Sequence, residues 1–103
     1  EGADAAGEAK AELGHSLIAL GHLLSETGRM DEAWTSYMEA RTLLDGLTHA
    51  NPAVTLFQGA LAMSHNNIGN LLRETGKPAE ALASYQAARV SLARAEGTAT
   101  ALP

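Results

Sequence analysis

The sequence predicts an all-α chain built from two antiparallel helix hairpins, and three observations carry that reading. A block of some thirty residues recurs at a constant offset. Leucines within it return at steps of three and four. The composition, with 21 alanines among 103 residues and only 4% aromatics, suits closely packed helices better than a β-sandwich.

The recurrence fixes the organisation, because an internal period defines the repeating unit before any single element is placed. Leu20-Gly21-His22-Leu23-Leu24-Ser25-Glu26-Thr27-Gly28 aligns with Ile68-Gly69-Asn70-Leu71-Leu72-Arg73-Glu74-Thr75-Gly76, an offset of 48. The same register pairs Glu32-Ala33 with Glu80-Ala81, Ser36-Tyr37 with Ser84-Tyr85, and Ala40-Arg41 with Ala88-Arg89. We therefore expect one domain over 1–103, with a first repeat at about 4–50, a second at about 51–96 and an irregular tail over 97–103.

Within the first repeat, Leu13, Leu17, Leu20 and Leu24 mark the apolar face of a first helix expected near 4–27. Gly28 stands where a left-handed residue commonly ends a helix. Asp31 and Glu32 suit the positive end of a second helix, near 30–48, which would bury Ala33, Tyr37, Ala40 and Leu44. Asn51-Pro52 reads as a capping side chain followed by a first-turn proline, so a third helix is expected near 52–75. Its stripe runs through Phe57, Leu61, His65, Ile68 and Leu72 to Gly76, with His65 expected as a hydrogen-bonded, partly buried imidazole. Pro78 opens a fourth helix near 78–95 that carries Ala81, Tyr85, Ala88 and Leu92. Gly21 and Gly69 sit mid-helix, where glycine costs about 1 kcal/mol relative to alanine, so a close approach of backbones is expected there.

These residues resemble the tetratricopeptide repeat. The resemblance rests on Leu20-Gly21, Gly28 seven residues on, then Ala33, Tyr37 and Ala40, with the same set at Ile68-Gly69, Gly76, Ala81, Tyr85 and Ala88. It implies a short right-handed α-solenoid that interacts with proteins and has no catalytic role. The family period is about 34 residues. The 14 extra residues here would lengthen each helix beside the inter-repeat turn by about 10 Å. The segments Asn51 through Thr55 and Ser64 through Asn70 are similar to the long-period tandem arrays of planctomycete-type bacteria.

The resemblance also implies a concave groove lined by the first helix of each pair. Carried over by position, the first copy contributes His15, Ile18, Ala19, His22, Ser25 and Glu26. The second contributes Met63, Asn66, Asn67, Asn70, Arg73 and Glu74. Such a face would hold a protein or peptide partner, with the asparagines and Arg73 clamping backbone groups or a carboxylate.

Other chemistries lack residues to carry them. A net charge of −5 with seven scattered Lys and Arg argues against nucleic acid. No run of about 18 apolar residues is present to cross a membrane. There is no cysteine, and His15 with His22 supplies too few ligands for zinc, so no metal site or cofactor is expected. No nucleophile, metalloprotease or phosphate-loop motif occurs, so no enzyme is expected.

The ends raise a second possibility. Glu1 in place of Met predicts a trimmed or processed chain. Leu23 at the front, and Leu82, Val90 and Leu92 on the last helix, are apolar positions with no repeat beside them to cover them. Three arrangements would cover them: a longer array, a capped dimer, or head-to-tail stacking of copies into an oligomer or filament.

Overall fold

The computed structural model describes residues 5–97. The expected tail lies outside the described residues, apart from Gly97. Four helices follow one another: α1 (Ala5–Glu26), α2 (Met30–Ala50), α3 (Thr55–Glu74) and α4 (Pro78–Glu96), with no strand among the described residues. Each helix packs on its sequence neighbour, and α3 also packs on α1, which gives the short α-solenoid expected from the repeat.

The two hairpin turns are the same object built twice. After α1, Gly28 takes φ 83°, its N–H bonds to the Ser25 carbonyl at 3.1 Å, and the Arg29 N–H reaches the Leu24 carbonyl at 2.8 Å. After α3, Gly76 takes φ 84°, with Gly76 N–H to Arg73 O at 3.2 Å and Lys77 N–H to Leu72 O at 2.8 Å. Both are Schellman closures, in which a left-handed glycine lets the chain reverse while the last helical carbonyls keep partners. Thr27 and Thr75 add side-chain bonds to the same last turns.

The turn between repeats differs from expectation. Asn51 does not cap α3. It ends α2 instead, its N–H bonded to the Leu47 carbonyl at 2.9 Å, because α2 continues to Ala50. Its own carbonyl accepts the Val54 N–H at 3.1 Å, so Asn51-Pro52-Ala53-Val54 closes a tight turn and α3 begins at Thr55. Proline suits the second position of such a turn because its φ is already set. With only this turn between α2 and α3, the residues that lengthen the repeat are helical.

Helix α1 buries a different face from the one its leucines mark. Gly7, Ala11, Gly14, Ile18 and Gly21 are buried, whereas Leu13 and Leu20 are exposed and Leu17 and Leu24 are half-buried. The reason is the partner. α2 lays large side chains on α1: an ideal Cβ on Gly14 would lie 3.1 Å from the Leu44 side chain, and one on Gly21 would lie 2.5 Å from the Tyr37 ring. The same notch recurs in the second hairpin, where a Cβ on Gly69 would lie 2.7 Å from the Tyr85 ring. Tyr37 is thus seated directly on a glycine. Ser36 crosses the first hairpin to donate to the Leu17 carbonyl at 2.9 Å.

In α3 the apolar stripe is buried as read: Phe57, Leu61, Ile68 and Leu72 join Ala33, Tyr37, Ala40 and Leu44 of α2 in one core. On α4, Ala81 and Ala88 are buried, but Leu92 is exposed, since no described helix follows to cover it. His65 is half-buried, without a ring hydrogen bond to another described residue. Burial lowers its pKa below 6.5, the Arg41 guanidinium lowers it further, and Asp45 opposes both.

Three outcomes follow. Gly69→Ala should destabilise the fold by about 1–3 kcal/mol in denaturant unfolding, because overpacking against Tyr85 exceeds the gain in helix propensity. Gly59→Ala, with nothing within 4 Å of its added Cβ, should stabilise by up to about 1 kcal/mol. For His65, the unfolded chain binds the proton more readily than the folded one. Stability should therefore fall as pH drops below the ordinary histidine value of 6.5, and His65→Gln should remove that part of the slope.

Candidate functional site

The first helix of each pair presents side chains to the groove that the repeat organisation creates. The α1 and α3 faces meet in a cleft of about 250 Å³. His22, Ser25 and Glu26 line it from α1, and Asn67, Asn70 and Glu74 from α3, while Tyr37 of α2 and Leu71 also border it. Of the groove residues named from the sequence, the structure brings His22, Ser25, Glu26, Asn67, Asn70 and Glu74 onto this one cleft.

The other named positions lie elsewhere. His15, Met63, Asn66 and Arg73 are exposed and do not line it. Ile18 belongs to the core, on the glycine–alanine face of α1, so it is not available as a groove contact. An apolar β-branched side chain there is covered by the packed helices. Its repeat counterpart Asn66 is polar and exposed.

Several cleft groups are already held. Asn67 donates its amide N–H to the Met63 carbonyl at 3.0 Å. The Tyr85 hydroxyl donates to Asn70 Oδ1, which leaves the Asn70 amide donors free of that bond. His22 Nε2 lies 3.5 Å from Glu26 Oε2 on the turn below. Burial, then Glu74, then Glu26 raises the Tyr37 pKa above 10.0, so its phenol stays protonated and carries a donor hydrogen at neutral pH.

The electrostatics follow from these residues. Glu26 and Glu74 both act on Tyr37, so two carboxylates share the cleft, with no Lys or Arg among its lining residues. Tyr37 was legible in the sequence only as a core residue. Its second role comes from the notch at Gly21, which brings the ring across the hairpin to the groove side.

A broader surface lies on the outer side of the first hairpin. An open groove of about 770 Å³ runs between α1 and α2, bordered by Leu13, Leu17, Trp34 and Met38. Beside it lies a second of about 560 Å³, with Leu20, Leu24 and Glu39. Leu23, Leu82, Val90 and Leu92 are all exposed. No described helix is long and apolar enough to cross a membrane.

No curated protein and no solved structure matches the chain. The family model for the tetratricopeptide repeat matches residues 14–43 and 62–88, more than half of the chain and one match in each hairpin. With two matched repeats, paired Schellman turns and glycine–aromatic notches in register, the chain belongs to the tetratricopeptide repeat family.

Proposed function

We propose that this chain is a non-catalytic protein-interaction module that holds a basic segment of a partner protein in the cleft between α1 and α3. Proteins of this repeat family generally mediate protein–protein interaction, and the finer reading rests on one observation. Glu26 and Glu74 lie on the same small cleft, with the Tyr37 phenol between their fields. Two carboxylates beside carboxamide groups favour a ligand that brings positive charge and backbone N–H donors. A carboxylate ligand would meet repulsion there, so the clamp on a carboxylate is the weaker form of the idea. The 48-residue period supports grouping the chain with long-period bacterial arrays within the family.

A random peptide library panned on the protein tests this. Enriched peptides should carry Lys or Arg, and a double Glu26→Gln, Glu74→Gln variant should weaken their binding about tenfold, the effect of losing close charge pairing of roughly 1.4 kcal/mol. Raised salt should weaken it too. Enrichment of acidic peptides, or equal binding by the double variant, would count against the reading.

A further inference from the structure

The 48-residue register lets each residue be compared with its counterpart, and the two copies differ in what covers them. On α3, Leu61, Ile68 and Leu71 are 5%, 3% and 3% exposed, because this face packs on the preceding hairpin. Their counterparts on α1, Leu13, Leu20 and Leu23, remain apolar yet are 53%, 47% and 59% exposed. At the other end, Leu44 is fully covered between α1 and the α3 core, while its counterpart Leu92 is 48% exposed. The chain thus carries one complete joint, α3 on α1–α2, and the two separated halves of a second.

The register also sorts the other exposed residues of α4. Thr42, the counterpart of Val90, stays exposed even though a hairpin follows it. Trp34, the counterpart of Leu82, lines a cleft with Leu71, Leu72 and Glu80 of that hairpin, so Leu82 stands with the residues of the joint.

Charge selects the occupant. Residues 1–50 hold nine acids and three bases, whereas residues 51–103 hold three acids and four bases. Inside the chain, Thr48 and Gln58 line one cleft across the α2–α3 joint. Their counterparts at the free faces are Glu96 for Thr48 and Lys10 for Gln58, a neutral pair replaced by opposite charges. We propose that the front face of α1 docks on the back of the α3–α4 hairpin of a second copy, repeating the internal joint and setting Lys10 against Glu96. The contact joins two different patches, so it propagates into open oligomers unless the rotation closes a ring. It uses neither Glu26 nor Glu74 and is independent of peptide binding.

Sedimentation velocity across the micromolar range tests it. The wild-type mass should rise with concentration and fall with added salt. Leu23→Glu spoils the front and Leu92→Glu spoils the back, so each alone should be monomeric with unchanged helical circular dichroism. Mixed, they should form a one-to-one dimer and nothing larger, since one intact front meets one intact back. Lys10→Glu should weaken assembly at least about tenfold, and Glu96→Lys in the same chain should restore it. A wild-type monomer throughout, or a mixture that stays monomeric, overturns the proposal. Leu23→Glu assembling like wild type also overturns it.

Discussion

Helix α3 must satisfy two neighbours at once, and that constraint organises the molecule. One face, through Gly69, takes the Tyr85 ring of its own hairpin partner. Another, through Phe57, Leu61, Ile68 and Leu72, packs on the preceding hairpin. α3 has more buried residues than any other described helix as a result, and the joint between repeats is where the two hairpins become one core. The division of labour is chemical: small residues where backbones or rings must approach, large aliphatic ones where a wider gap needs filling.

The same division explains the groove. Because the Tyr37 ring needs a residue without a side chain opposite it, Gly21 draws it across the hairpin, and its hydroxyl end reaches the cleft that α1 and α3 enclose. A packing requirement thereby supplies a polar group to the cleft. The two glutamates add the charge, and their cost is small because the cleft is open to solvent, which screens them.

The doubled turn was legible in the sequence, and so was the need for glycine at the two notches, but the tyrosine rings that fill them were not. Gly28 and Gly76 announced left-handed closures, and Gly21 and Gly69 announced close approach, since no other role justifies glycine at matched mid-helix positions. Asn51-Pro52 misled, because an Asn-Pro pair suits a tight turn as well as a helix start, and only the length of α2 chooses between them. Of the groove, the polar face of α1 and α3 could be read from spacing. Ile18 could not be separated from it, since helical spacing places it beside His15 and His22 while burial depends on what packs there.

The sequence by itself determined the repeat, its period, the four helices and the two hairpin turns at Gly28 and Gly76, because these depend on local propensity and on residues close along the chain. It did not determine which face of α1 is core. The stripe of Leu13, Leu17, Leu20 and Leu24 is the more hydrophobic one, yet the tertiary structure buries Gly14, Ile18 and Gly21 instead. The physical reason is that a helix in a solenoid carries two packing faces, and burial goes to whichever has a neighbour. α2 supplies one for the glycine face, whereas Leu17 and Leu24 pack only partly against the core and no described helix covers Leu13 and Leu20.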